Sequence, residues 1–113
     1  EFIAKGNVKN GQRNGKGDVR WRDGSSYKGD FLNDMAHGKG VKVETDGGRY
    51  KGNFITDKRN GFGIQDYASG DRYRGEWKND LYNGNGVIFY ENGNTYKGEF
   101  VNHNFHEKVF LLF

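Results

Sequence analysis

Tyrosines at positions 27, 50, 73 and 96 stand twenty-three residues apart, and a fixed skeleton travels with each of them. Tyr73-Arg74-Gly75-Glu76-Trp77, Asn83-Gly84-Asn85-Gly86 and Asn92-Gly93 match Tyr50-Lys51-Gly52-Asn53-Phe54, Asn60-Gly61-Phe62-Gly63 and Ser69-Gly70. The preceding copy is Tyr27-Lys28-Gly29-Asp30-Phe31, His37-Gly38-Lys39-Gly40 and Asp46-Gly47, and Tyr96-Lys97-Gly98-Glu99-Phe100 opens another. A fixed period of this size means a stack of small similar units, each burying its apolar side only with the help of its neighbours.

The repeats fall at 4–26, 27–49, 50–72, 73–95 and 96–113, within a single domain spanning 1–113. The first is degenerate: Ala4 and Val8 take the tyrosine and phenylalanine slots, but Gly6, Asn14-Gly15-Lys16-Gly17 and Asp23-Gly24 stay in phase. The last copy keeps His106 in the Asn/His slot, replaces the next two glycines by Glu107 and Val109, and closes on Val109, Phe110, Leu111, Leu112 and Phe113. Terminal units of an array commonly diverge because they have one neighbour instead of two.

Within a copy the first five residues alternate. Tyr27, Gly29 and Phe31 face one way and Lys28 and Asp30 the other, which is the period of a strand. A loop such as Asn33–His37 is expected next, then a strand opened by the G-x-G pair. A turn follows at Asp23-Gly24, Asp46-Gly47, Ser69-Gly70 or Asn92-Gly93, with glycine where φ must be positive. The fold is therefore predicted to be all-β: an elongated, single-layer antiparallel meander of tandem hairpins, about 50 Å long at the usual strand spacing. Tyrosine and phenylalanine rings in one layer must lie along their own sheet. Glycines 29, 52, 75 and 98 lie between the two aromatic columns, and glycines 17, 40, 63 and 86 are expected opposite the second column. By parity Trp21, Tyr67 and Tyr90 join the same face. The other face is expected to carry a basic row, an acidic row two residues along (Asp30, Glu76 and Glu99 with Asn7 and Asn53), and one apolar cluster of Leu32, Ile55, Val101, Val41, Ile64 and Val87.

Composition supports a thin sheet. Apolar residues are 33 %, aromatics alone are 16 %, and there are nineteen glycines and no proline. That is too aromatic for disorder and too glycine-rich for a helical bundle. Without cysteine there is no disulfide, cysteine–zinc site or thiol nucleophile. No signal peptide or long apolar run appears, so an intracellular, cytoplasmic location is expected. The net charge of +3 is small.

The columns Y-x-G-x-W/F, N/H-G-x-G and D-G resemble the MORN (membrane occupation and recognition nexus) repeat over residues 4–106. One column departs: the family's mid-repeat glycine is Gly11 in the first copy and then Asp34, Asp57, Asp80 and His103, acceptable because aspartate tolerates left-handed backbone. The resemblance implies a non-enzymatic scaffold, associated with the cytoskeleton or a membrane, holding partner peptides along an aromatic groove and forming elongated dimers. It also implies an alternative, since such arrays accompany catalytic domains in lipid kinases: a phosphoinositide-binding accessory of a longer enzyme.

The residues leave little for catalysis. The G-x-G pairs lack a third glycine and precede strands, so they do not bind dinucleotides. His37 and His106 share a slot with asparagines and read as loop-closing groups, and His103 has no ligand set at zinc spacing, so neither a metal nor a cofactor is expected. Partner binding is assigned to the aromatic face: Trp21, Tyr27, Phe31, Tyr50, Phe54, Tyr67, Tyr73, Trp77, Tyr90, Tyr96 and Phe100. Anionic phospholipid is assigned to the basic row Lys5, Lys28, Lys51, Arg74 and Lys97, whose field the acidic row is expected to offset. Nucleic acid is not expected, because rings and cations lie on opposite faces. A homodimer is assigned to Val109, Phe110, Leu111, Leu112 and Phe113, which cannot alternate about one face and need cover on both sides.

Overall fold

A computed structural model describes residues 2–9 and 11–104, with side chains from residue 11 onward. The side chain of Lys5 and the tail Val109–Phe113, with their lipid and dimer assignments, lie outside the described residues. Nine strands are described: β1 (Phe2–Lys9), β2 (Gln12–Trp21), β3 (Ser26–Leu32), β4 (Met35–Val43), β5 (Arg49–Ile55), β6 (Lys58–Asp66), β7 (Arg72–Lys78), β8 (Leu81–Phe89) and β9 (Thr95–His103). They form one antiparallel sheet in chain order, with no crossover. The molecule measures 55 × 24 × 16 Å, a long single layer as the repeat pattern predicts.

The five-residue loop expected within each repeat is a two-residue turn. Asn33 and Asp34, Thr56 and Asp57, and Asn79 and Asp80 all have positive φ, between 48° and 70°. Paired left-handed residues match the twist of the flanking strands, so β4, β6 and β8 start immediately afterwards. The chain length that would have been loop is taken up as a bulge. Between Gly29 and Phe31 on β3 one residue faces three on β4, and the same irregularity recurs at Gly52/Phe54 and Gly75/Trp77. Turns between repeats follow expectation, with Gly24, Gly47, Gly70 and Gly93 at φ 94° to 98°.

Register corrects the glycine packing. Gly40 lies opposite Gly29 and Gly52, Gly63 opposite Gly52 and Gly75, and Gly86 opposite Gly75 and Gly98. The second aromatic column pairs instead with the first glycine of each G-x-G: Gly15 with Phe31, Gly38 with Phe54, Gly61 with Trp77 and Gly84 with Phe100. Glycines 40, 63 and 86 serve the first column. A Cβ on any of them would stand 2.5 Å from Cε1 of Tyr27, Tyr50 or Tyr73 respectively, so each tyrosine ring lies flat on a glycine of the next strand.

The rings form a continuous edge-to-face chain. Tyr27 meets Phe31 at 5.0 Å and Phe54 at 5.2 Å, Tyr50 meets Phe54 at 5.0 Å and Trp77 at 5.4 Å, and Tyr73 meets Trp77 at 5.0 Å and Phe100 at 5.6 Å. This is the favoured arrangement for aromatic quadrupoles. Each phenol turns back to its own strand: Tyr27 donates to the Asp30 carbonyl, Tyr50 to Asn53 and Tyr73 to Glu76, at 2.7 to 2.8 Å. Among the described residues a ring column thus stands where a second layer would.

Candidate functional site

The aromatic face is the core. Tyr27, Phe31, Tyr50, Phe54, Tyr73, Trp77 and Phe100 are buried, with Tyr67, Tyr90 and Tyr96 packed partly buried against them. Trp21 alone of the assigned aromatic set is an exposed large side chain, at 36 % exposure. Burial pushes the phenols of Tyr27, Tyr50 and Tyr73 well above their ordinary value. It does the same to Tyr82, where the neighbouring Tyr67 adds to the effect.

One column of this face was not legible from strand parity: Arg13, Ala36, Arg59 and Tyr82. Reading residues 33–37 as loop left the column outside the strand, although the repeat alignment displays it. In β6 the Arg59 guanidinium lies over the Trp77 ring at 4.3 Å, its Nε donates to Asp80 Oδ1 at 2.9 Å, and its Nη1 donates to Gln65 Oε1 at 3.0 Å. In β2 Arg13 lies over Phe31 at 5.4 Å and its Nε donates to Asp34 Oδ1 at 2.7 Å. In β8 the Tyr82 ring stacks on Tyr73 at 3.7 Å, and its hydroxyl shares a hydrogen bond with that of Tyr67. In β4 the slot holds the small, buried Ala36. A hollow of about 320 Å³ opens there, lined by Tyr27, Phe31, Phe54, Trp21, Lys42 and Asp57 among others.

The turn aspartates tie the repeats together. Asp34 accepts from the Arg13 N–H at 2.9 Å, Asp57 from Ala36 at 2.7 Å and Asp80 from Arg59 at 2.8 Å. The bonds from Arg13 hold the Asp34 carboxyl below its usual range, backbone first and guanidinium second. The slot read as loop-closing does join loops, but between copies. Asn14 accepts from the Asn33 N–H, His37 Nδ1 from Thr56 and Asn83 from Asn102.

The opposite face departs from expectation in two ways. The acidic row is not spent on the basic row. Asp30 and Glu76 accept the Lys39 and Asn85 N–H groups inside the bulges, with Asn53 donating to Phe62 at the equivalent place. Asp30 makes its ion pair with Lys16, at 2.6 Å, and Lys16 leads the causes that lower its carboxyl pKa. Among the described residues no carboxylate lies within ion-pair distance of Lys28, Lys51, Arg74 or Lys97. The expected apolar cluster is also divided. Val41 sits between Lys28 and Lys51, Ile64 between Lys51 and Arg74, and Val87 between Arg74 and Lys97, making one row of alternating cations and aliphatics. Leu32, Ile55 and Val101 are exposed and lie further along the strands toward the hairpin turns. A depression of about 480 Å³ runs along this row, lined by Lys28, Lys39, Lys51, Val41, Ile64 and Phe62 and floored by glycines.

Among the described residues no three His, Cys, Asp or Glu side chains gather as metal ligands, and no helix is long and apolar enough to cross a membrane. An open one-layer array with a filled ring column and a polar reverse defines a repeat module for interactions. The MORN repeat family model matches residues 5–26, 27–49, 50–72 and 73–95, and the chain belongs to that family. A search of curated proteins found no match to the chain. The family is one of non-catalytic modules for protein and membrane interactions.

Proposed function

We propose that this array is a scaffold that binds an extended segment of a protein partner along its aromatic face, over repeats two and three. The observation that carries this reading is the hollow beside Ala36. It is lined by Tyr27, Phe31 and Phe54, themselves buried, and exposed Trp21 stands at its rim. Over Tyr73 and Trp77 the face carries Arg59 and Tyr82, and the exposed ring offered to a segment is Trp21, at the N-terminal half. The test uses linear peptides selected from a random display library on the wild-type protein. Trp21→Ser is expected to leave the denaturation midpoint nearly unchanged and to abolish capture of those peptides. Full binding to the variant overturns the reading.

A second reading rests on the reverse face. Four cations with no ion pair among the described residues, alternating with Val41, Ile64 and Val87, flanked by exposed Phe62 and with Asp18 across from Lys28 at one end, form a surface suited to anionic phospholipid. Sedimentation with acidic vesicles should weaken steeply from low to physiological salt. The double change Lys51→Glu, Arg74→Glu should eliminate it, and binding that survives charge reversal removes this face from consideration. Self-association through Val109–Phe113 rests on the sequence argument. Sedimentation equilibrium should show a dimer for the intact chain and a monomer for a chain ending at Asn104, and a monomeric intact chain rejects it.

A further inference from the structure

The middle residue of each G-x-G pair lies on the reverse face, and its chemistry changes along the array. The slot holds Lys16, Lys39, Phe62 and Asn85 in turn. Across from these stand Asp30, Asn53, Glu76 and Glu99 respectively. This second row runs beside the row of cations and aliphatics, with glycine backbone as the floor between them. Phe62 lines two depressions of that floor. One, of about 480 Å³, holds Lys28, Lys39 and Lys51; the other, of about 290 Å³, holds Arg74, Lys97 and Glu99.

The two rows differ on the two sides of Phe62. Over β2 to β5 they carry four cations, Lys16, Lys28, Lys39 and Lys51, against two carboxylates, Asp18 and Asp30. Over β7 to β9 they carry two cations, Arg74 and Lys97, against two carboxylates, Glu76 and Glu99. Both carboxylates of the first half are already engaged, Asp30 with Lys16 at 2.6 Å and Asp18 with Arg20 at 3.8 Å. Exposed Lys28, Lys39 and Lys51 therefore hold the excess positive charge of this half. Apolar exposure has the same bias. Among the described residues, the exposed large apolar side chains of this face are Leu32 on β3, Ile55 on β5, Phe62 on β6 and, in the second half, Val101. The slot of Leu32 and Ile55 is filled in the fourth repeat by Lys78.

We propose that the membrane contact is one-ended: the β3 to β6 half of the reverse face inserts Leu32, Ile55 and Phe62 into the interface of an anionic bilayer and seats lipid phosphate among Lys28, Lys39 and Lys51, while Glu76 and Glu99 keep the other half in water. The proposal rests on the reading that this face meets anionic phospholipid, and adds which end does so and which side chains enter. Apolar groups beside cations suit the boundary between headgroups and acyl chains. An acidic protein segment one chain wide, lying over the cations, would leave Leu32 and Ile55 uncovered, because they stand further along the strands toward the hairpin turns. A bilayer covers both. Sheet twist also turns the face by about 20° from strand to strand, so a flat surface does not meet β3 and β9 alike.

The test uses the full chain and vesicles of phosphatidylserine and phosphatidylcholine. The chain has no cysteine, so one introduced cysteine carries a nitrobenzoxadiazole label at a chosen place. Emission from labelled Ile55→Cys is expected to shift to the blue on adding vesicles and to be quenched by spin-labelled lipid. Labelled Asn85→Cys, in the slot of Phe62 one repeat later, is expected to keep its emission in water. Phe62→Ala should weaken vesicle binding roughly tenfold, as expected for an apolar ring partly withdrawn from water. Lys39→Glu should weaken it at least as much, and Lys97→Glu far less. Equal responses from the two labels, an unchanged Phe62→Ala, or equal losses for Lys39→Glu and Lys97→Glu overturn the one-ended contact and leave the phospholipid reading standing. Wild-type protein that fails to sediment with these vesicles at low salt overturns both. Capture of a polyglutamate peptide by protein that ignores the vesicles also overturns both, and assigns the cations to an acidic protein segment.

Discussion

The two faces of this sheet are built from the same strands and have opposite characters. On one, Tyr50 and Tyr73 are at most 1 % exposed, each ring lies on a glycine, and each hydroxyl is bonded to a carbonyl of its own strand. On the other, Lys28, Lys51, Arg74 and Lys97 stand in solvent beside aliphatics that are half covered. A two-layer protein hides one face of each sheet against its partner layer. A single layer has no partner, so one face must be its own core, and large rings over glycines achieve this within the thickness of a side chain. The reverse face is then released from stability and free to carry charge.

The largest expected effect is loss of a ring from the core face. Trp77 is 3 % exposed, lies edge-on to Tyr50, Tyr73 and Tyr82, and donates its indole N–H to the Gly63 carbonyl at 3.1 Å. Trp77→Ala should cost about 3–5 kcal/mol in urea denaturation. Phe62, 54 % exposed on the reverse face, is the control, and Phe62→Ala should change stability by no more than about 0.5 kcal/mol. Similar losses for the two would break the comparison.

Adding an atom to the same face should hurt somewhat less. A Cβ at Gly63 would stand 2.5 Å from Tyr50 Cε1, so Gly63→Ala forces the ring off its glycine. Overpacking of this kind costs about 1–3 kcal/mol. The same denaturation assay checks it, and a neutral result would mean the ring has room to move.

Alkaline pH probes the core face through its phenols. Burial raises Tyr27, Tyr50, Tyr73 and Tyr82 above their ordinary value of 10.0. The folded state keeps protons that the unfolded chain releases, so this stability is complete below about pH 10 and falls as pH rises toward the folded values. Tyrosinate absorbance from these rings should therefore appear together with loss of strand circular dichroism. A gradual tyrosinate titration with the dichroism unchanged would show the rings to be open to solvent.

The smallest effect on stability should come from the reverse face. Lys51→Glu with Arg74→Glu should shift stability by no more than about 0.5 kcal/mol, since neither cation has an ion-pair partner among the described residues. Any loss of vesicle sedimentation in that variant then reports on the surface alone. A large drop in stability would show that the cations brace the sheet.

The sequence by itself determined what depends on near neighbours and on counting. The twenty-three-residue period implied the stack, alternation at Tyr-x-Gly-x-Trp/Phe implied strands with rings on one side, and Asp-Gly turns implied positive φ. Each is a local consequence of chirality, pleat and sterics, so each survives into the fold. Only the tertiary structure decided register. Two-residue left-handed turns start the second strands early, and the bulges then pair Gly40 with Gly29 and not with Phe31. That shift brings Arg59 and Tyr82 onto the ring column and places the smaller Ala36 in the same column. The acidic row likewise found its partners in the bulge N–H groups, which exist only once the irregularity has formed. Register between strands is the net result of many weak contacts distributed along both strands and their turns, and no single residue or its immediate neighbours encodes it.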